Sequence, residues 1–146
     1  MKRHIKFLVF LLLLFCTCAT TTMASLSKKE KDAIRTAVFK APYIDVLIAV
    51  VKVFLDEGYL IQNADEQLGL ITTEWKKQTT SDMNIRRKIS ATIKGVGDNK
   101  TTVRLKDLMQ TWTERGWSSS ENDKQIDIIE DFYEDFFDLI QDKLKE

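Results

Sequence analysis

The stretch IRRKISATIKGVGDNKTTVRLKDLMQTWT, residues 85–113, alternates between apolar and polar side chains along two segments that a glycine-containing turn separates. Alternation over segments of this length predicts two antiparallel strands with one buried face. Matching apolar partners sets the register, because Ile93 must face Val103, and this requires an odd-numbered loop such as residues 97–99. We therefore predict a long hairpin that forms the centre of a sheet.

Two charged residues interrupt this pattern. Arg87 lies on the face of the first strand that is otherwise apolar, and Asp107 breaks the alternation of the second strand, which predicts a β-bulge there. The segment Gly95-Val-Gly97 has the glycine content of a phosphate-binding loop, but no helix is predicted to follow it. A hairpin turn is therefore the favoured interpretation of this segment.

The outward face of the hairpin collects positive charge. Its polar positions include five cations: Arg86, Lys88, Lys94, Arg104 and Lys106. Such a face suits an acidic protein partner or anionic headgroups, and we take it as the candidate binding face. A solvated sheet surface without a partner is the alternative.

Helices and further strands flank the hairpin. A short strand is predicted over residues 33–39, and an amphipathic helix follows from Pro42 to about residue 57, because proline suits a first helical turn and Gly58 can end the helix. The apolar residues at helical spacing are Ile44, Leu47, Ile48, Val51 and Leu55. Residues 59–62 and 68–77 are predicted as two strands of a second hairpin, and residues 116–120 as a loop.

A long helix is predicted over residues 121–144, since apolar residues recur along one side of it and acidic residues lie largely off that side. The apolar stripe comprises Ile126, Ile129, Phe132, Tyr133, Phe136, Phe137, Ile140 and Leu144. We expect this stripe to pack on the hairpin, and we expect Trp112 and Trp117 to belong to the same core. The predicted fold class is α+β: an antiparallel sheet of four to five strands with an N-terminal helix and a long C-terminal helix packed on one face.

Two acidic pairs near the first helix have structural explanations. Asp56 and Glu57 belong to the last turn of that helix. Asp65 and Glu66 fall in a segment where aspartate favours a turn through local hydrogen bonds. Neither pair is expected to be catalytic.

The amino-terminal residues have the pattern of a secretory signal. A basic start and an apolar run over residues 7–16 precede a small-residue exit that ends at Ala24, and the run is shorter than the roughly 20 residues of a membrane-spanning helix. We predict a signal peptide over residues 1–24, a flexible leader over 25–32 and a single domain over 33–146. Cleavage before Cys16 or Cys18 with lipid attachment is one alternative, and an uncleaved transmembrane anchor is another.

Removal of this signal limits the chemistry of the mature protein. His4, Cys16 and Cys18 are the only histidine and cysteines of the sequence, so cleavage after Ala24 leaves neither histidine bases nor thiolate nucleophiles. The cut also removes three of the 22 basic residues, which leaves the 22 acidic residues in excess by three. A weakly acidic protein is a poor candidate for general nucleic-acid binding, which depends on the neutralisation of phosphates.

The order of these features resembles a known family. Pro42 opens the first helix, Gly58-Tyr59 ends it, and Asp65 precedes Gly69-Leu-Ile-Thr72 at the start of a strand. In these features residues 33–145 resemble the helix-grip domains of BamC-like envelope lipoproteins, although this chain has one such domain where BamC carries two in tandem. The resemblance implies a periplasm-facing domain, often lipid-anchored to the outer membrane, that makes protein contacts in envelope assembly.

We therefore expect an exported, non-catalytic binding or assembly module without a cofactor, located in the periplasm or at the periplasmic face of the outer membrane. Its expected partner is an envelope protein or an anionic membrane surface, with membrane attachment only through a lipid at Cys16 or Cys18. The alternative is a carboxylate- or metal-dependent hydrolase. That alternative rests on Glu130 with Glu134 and Asp131 with Asp135, which are four residues apart on the last helix.

Overall fold

The computed structural model describes residues 27–79, 83–119 and 126–146, with the backbone alone for 126–130. In these ranges seven strands form one antiparallel sheet, and three helices accompany it. The elements are α1 (Lys28–Ile34), β1 (Thr36–Phe39), α2 (Tyr43–Asp56), β2 (Ile61–Asp65), β3 (Leu70–Thr73), β4 (Lys76–Thr79), β5 (Asn84–Gly95), β6 (Thr101–Thr113), β7 (Gly116–Ser119) and α3 (Ile126–Lys143). The predicted α+β class is confirmed.

The strands lie in the order β1-β6-β5-β3-β2, with β4 beside β5 and β7 beside β6. The sheet has more strands than the four or five expected, because the strand predicted over 68–77 is divided into β3 and β4, and residues predicted as a loop form β7. Where β3 and β4 separate, the backbone N–H of Ile89 donates to the buried Oγ1 of Thr73 at 2.9 Å. A side-chain hydroxyl thus replaces the missing strand partner.

The predicted register of the central hairpin is confirmed. Ile93 pairs with Val103, and the N–H of Val96 donates to the carbonyl of Lys100 at 2.7 Å, which closes a turn over residues 97–99. The β-bulge predicted at Asp107 is wrong, since β5 and β6 pair without interruption from Ile85–Thr111 to Gly95–Thr101. The reason is that the charge of Asp107 is compensated by another side chain instead of by a distortion of the strand.

The helices α2 and α3 pack against each other on one face of the sheet and enclose the core with it. The core residues that are fully or nearly buried include Phe39, Val46, Val50, Phe54, Ile71, Ile89, Ile93, Val103, Leu105, Tyr133, Phe136 and Ile140. The predicted inward stripe of α2 is wrong in part: Ile44, Ile48 and Leu55 are 42, 46 and 50% exposed. Because α2 is apolar around most of its circumference, its spacing does not select one inward face.

Residues Lys28–Ile34 form helix α1 before β1, where the sequence predicted a flexible leader over residues 25–32. Helix α1 begins after Ser27, whose Oγ accepts from the N–H of Glu30 while the Glu30 carboxylate accepts from the N–H of Ser27. This reciprocal capping box satisfies two donors at the start of a helix. As a result β1 begins at Thr36, three residues later than the predicted strand.

The two acidic pairs take the structural positions predicted for them. The Oδ1 of Asp65 accepts from the N–H of Leu68 at 2.8 Å and shapes the turn between β2 and β3. Asp56 lies at the end of α2, where its carboxylate is 3.1 Å from the Nζ of Lys143 on α3. Gly69 in the same turn has a φ of 64°, and a Cβ there would lie 2.1 Å from the carbonyl oxygen of Ile93, so the close approach requires glycine.

Several predictions concern residues outside the described ranges. These are the signal peptide over 1–24, the lipid attachment at Cys16 or Cys18, and the start of the last helix over 121–125. Among the described helices, none is both long and apolar enough to cross a membrane.

Candidate functional site

The five predicted cations lie on the face of the sheet opposite α2 and α3. Successive side chains of a strand alternate between faces, and the odd-numbered Ile89, Ala91 and Ile93 of β5 are buried in the core. The even-numbered positions of β5 and β6 therefore point to the side without helices. We call this side the open face.

The register divides the cations along the open face. Lys106 is paired with Ser90 and Arg104 with Thr92, whereas Arg86 is paired with Gln110 further from the hairpin turn. No two cations of this set are direct cross-strand partners, which avoids repulsion between like charges. The structure thus places the predicted residues on one face, and it does not gather them into one patch.

Arg104 and Lys106 border a groove between α1 and the open face, with a volume of about 520 Å³. Helix α1 adds Lys28 and Lys31 to its lining. Arg35, the residue after the helix, adds a third cation, and its guanidinium also lies 5.9 Å from the ring centroid of Tyr133. The carboxylate of Asp32 also lines this basic groove, and it forms an ion pair with Arg104. Five cations therefore border a groove with one carboxylate that already has a partner.

The contribution of α1 to the groove was missed in the sequence because the segment was interpreted as a leader. The signal that identifies the helix is the short pattern Ser27-Lys-Lys-Glu30, which has the spacing of a capping box. The other two predicted cations, Lys88 and Lys94, lie outside the groove. The Nζ of Lys88 donates to Oε1 of Gln62 at 2.6 Å, and Lys94 is exposed near the hairpin turn.

Arg86 lies in a second part of the open face that is aromatic. Its guanidinium carbon is 4.3 Å from the ring centroid of Trp75 and 4.5 Å from that of Trp117, and its Nε donates to Oε1 of Gln110 at 2.7 Å. Trp112 packs edge-to-face on Trp117 with a centroid distance of 5.2 Å. We call these five residues the tryptophan cluster.

The prediction that Trp112 and Trp117 belong to the core is wrong. Trp112 is 53% exposed, and Trp117, its cross-strand partner, is half-buried on the open face. The signal was present in the sequence, because Trp112 has the same parity along β6 as Arg104 and Lys106 and must share their face. The general preference of tryptophan for the core favours burial, but the alternation of side chains along β6 places the indole of Trp112 on the open face.

The two charged residues on the apolar face of the hairpin pair with each other beneath α3. Nε of Arg87 lies 3.2 Å from Oδ2 of Asp107, and the side chains are 20 and 11% exposed. Neither Nε of Arg87 nor Oδ1 of Asp107 makes a hydrogen bond, so the pair is held by charge attraction without an aligned N–H. The ring of Phe132 covers the guanidinium at 4.3 Å.

Burial affects the proton affinity of this pair. It raises the pKa of Asp107 from an ordinary value of 3.8 to about 6, because the loss of water outweighs the attraction of Arg87 and Arg35. The backbone N–H of Asp107 donates to the hydroxyl of Tyr133 at 3.0 Å, at a position between the residues of β6 that pair with β1 and those that pair with β7. Burial also raises the pKa of the Tyr133 hydroxyl.

The acidic residues proposed for the hydrolase alternative lie apart from this pair. Asp131, Glu134 and Asp135 are exposed on α3, and the side chain of Glu130 is outside the described atoms. Within the described ranges, no three His, Cys, Asp or Glu residues come together in a way that could hold a metal ion. The hydrolase alternative stays a prediction, which calorimetric titration with calcium, magnesium and manganese would test.

Comparisons with known proteins give structural neighbours only. No protein-family profile matches the chain, and no curated protein matches its sequence. The adenylate sensor from AMP-activated protein kinase, in complex with 5-aminoimidazole-4-carboxamide 1-beta-D-ribofuranotide, has a TM-score of 0.45 and 11% identity over 75% of this chain and 94% of that one. A TBP-like protein from Parabacteroides distasonis has a TM-score of 0.42 and 14% identity over 73% of this chain and 90% of that one.

Proposed function

We propose that this protein is an exported, non-catalytic binding module of the cell envelope, and that its basic groove receives an acidic segment of an envelope protein. The observation that carries the proposal is the convergence of Lys28, Lys31, Arg35, Arg104 and Lys106 around one groove. The envelope setting is supported by the signal-like start of the sequence and by the resemblance to BamC-like domains.

The charge of the groove is local. The sequence as a whole has a formal net charge of zero. A site bordered by five cations is therefore more positive than the average surface of the protein. Asp32 is the one carboxylate in the lining of the groove, and it forms an ion pair with Arg104. An acidic segment would therefore find a complementary potential there, whose reach in physiological salt is about 8 Å.

A binding role is favoured over catalysis by the residue types that the mature chain would hold. Without His4, Cys16 and Cys18 the protein lacks the side chains that most often act as bases and thiol nucleophiles. The groove itself offers cations and the hydroxyls of Ser90 and Thr92, which suit recognition of carboxylates.

Export makes a direct prediction about the mass of the protein. When the full-length sequence is expressed in a bacterial host with an intact secretion pathway, we expect the mature chain to lack at least residues 1–15. Intact-mass spectrometry would distinguish a start at Ser25 from a start at Cys16 or Cys18 with added acyl groups. An uncleaved amino terminus would contradict export.

Charge reversal in the groove should weaken its binding of acidic peptides. We expect the double variant Lys28→Glu with Lys106→Glu to bind a fluorescent deca-glutamate peptide at least about tenfold more weakly than the wild type, a difference of roughly 1.4 kcal/mol. Both side chains are exposed, so the fold should be retained. Fluorescence anisotropy at low and at physiological salt would measure the affinities.

The matched control reverses two exposed lysines outside the groove, Lys40→Glu with Lys94→Glu, and changes the net charge by the same amount. Equal weakening by both double variants would show a net-charge effect and contradict the groove. Binding to phosphatidylglycerol vesicles without binding to the peptide would identify an anionic membrane surface as the partner and contradict the protein partner.

A further inference from the structure

All three tryptophans of the sequence meet in the tryptophan cluster, on the open face and further from the hairpin turn than the basic groove. They come from different parts of the chain: Trp75 precedes β4, Trp112 lies on β6 and Trp117 on β7. The sheet therefore brings together indoles that the sequence separates by up to 42 positions.

The cluster holds a guanidinium in a defined position. Trp75, just before β4, and Trp117, on β7, lie on opposite sides of β5. Arg86 contacts both indoles, and Oε1 of Gln110 accepts a hydrogen bond from its Nε. Gln110 is itself oriented by a hydrogen bond from its Nε2 to Oγ of Ser119 at 3.2 Å. Among the described residues, nothing accepts a hydrogen bond from the two terminal nitrogens of Arg86. A planar guanidinium fork that is held in position is suited to a carboxylate.

A purely structural role explains only part of this arrangement. Stacking of Arg86 against Trp75 and Trp117 joins neighbouring parts of the sheet, and these contacts stabilise it. The stacking of Arg86 involves Trp75 and Trp117, whereas Trp112 packs on Trp117 and is 53% exposed. An exposed indole near a positioned cation is typical of a recognition surface.

We propose that the tryptophan cluster binds an acidic saccharide, a carbohydrate whose rings carry carboxylates. The apolar C–H face of a sugar ring packs on the exposed indole of Trp112, and the carboxylate pairs with the terminal nitrogens of Arg86. The hydroxyl of Ser119 remains able to donate to a sugar oxygen. Lys88, at the next outward position of β5, adds a second positive charge.

The position of the cluster favours a saccharide over an extended peptide. Peptides that bind to sheets commonly add a strand to an exposed edge, where backbone groups are unpaired. Trp112 and Arg86 instead project from the face of strands that are already paired, with β5 between β4 and β6, and β6 between β5 and β7. A flat aromatic surface of this kind offers ring stacking.

The natural fluorescence of the protein tests this inference, because every tryptophan of the chain belongs to the cluster. Titration with a hexamer of galacturonic acid should give a saturable shift in emission. We expect affinity at least about tenfold higher for this hexamer than for the neutral maltohexaose or for deca-glutamate. The absence of a saturable shift would overturn the proposal. Equal binding of deca-glutamate by the groove variant Lys28→Glu with Lys106→Glu would show simple charge attraction and would also contradict it.

Two variants and two controls locate the site. Trp112→Ala should weaken binding of the galacturonate hexamer at least about tenfold, with Trp75 and Trp117 still reporting the signal. Arg86→Lys should also weaken it, because lysine keeps the charge and loses the fork. Lys94→Ala, and the groove variant Lys28→Glu with Lys106→Glu, should leave it unchanged. Unchanged affinity in Trp112→Ala, with an unchanged thermal midpoint, would contradict the assignment.

Discussion

Phe136→Ala should lower the free energy of unfolding by about 3–5 kcal/mol, the usual consequence of removing a buried aromatic ring. Phe136 is 5% exposed, and its ring lies 6.0 Å from that of Phe54, 6.2 Å from that of Tyr59 and 4.8 Å from that of Phe132. The sequence predicted contact with the central hairpin. The ring instead fills an aromatic junction between α2 and α3, so its loss should separate the two helices as well as leave a cavity.

The matched control lies on the same helix. Leu139 is 39% exposed, and Leu139→Ala should change stability by less than about 1 kcal/mol because little apolar surface is lost from the core. Chemical denaturation of both variants would measure the difference. An unchanged denaturation midpoint for Phe136→Ala would mean that α3 does not pack at this position.

Arg87→Met should lower stability at pH 7 by about 3–5 kcal/mol, because it leaves the carboxylate of Asp107 buried without its partner. The double variant Arg87→Met with Asp107→Leu removes both charges from a site that is lined on one side by Phe132. It should therefore be within about 1 kcal/mol of the wild type or more stable. A double variant as unstable as the single one would show that Arg87 contributes through contacts other than the ion pair.

The pH dependence of stability follows from the raised pKa of Asp107. The folded protein holds this proton more tightly than the unfolded chain, so the group lowers stability as the pH rises from about 4 to about 6. A change in pKa from 3.8 to about 6 corresponds to about 3 kcal/mol. The penalty of Arg87→Met should accordingly be smaller at pH 5, where Asp107 is largely protonated, than at pH 7.

Denaturation curves at pH 5 and pH 7 would measure these differences. The double variant has no carboxyl group at position 107. Its free energy of unfolding should therefore not show the part of the decrease between pH 5 and pH 7 that comes from ionisation of Asp107. If Arg87→Met had the same effect at both pH values, the proton affinity of Asp107 would be unchanged from its ordinary value. That result would contradict the link between burial and charge at this pair.

The candidate site shows how far the alternation of a strand predicts function. Parity along β5 and β6 correctly placed Arg86 and Lys106 on the open face, because the side chains of a strand alternate regardless of the remainder of the fold. Trp112 is also at an even-numbered position of β6, so the same alternation predicts that it lies on the open face. The prediction that it belongs to the core rested only on the general preference of tryptophan for cores. The groove could not be predicted without α1, since two of its five cations, Lys28 and Lys31, come from a helix whose residues were predicted as part of a leader.

The sequence by itself determined the α+β class, the central hairpin and its register, because these depend on local periodicity and on the matching of apolar partners along two neighbouring strands. Only the tertiary structure decided which side of α2 is buried, since most of that helix is apolar and the packing of α3 makes the choice. It also decided that Arg87 and Asp107 compensate each other and that Trp75, Trp112 and Trp117 surround one arginine. These contacts join residues that are distant in the chain, and their geometry exists only once the strands are assembled.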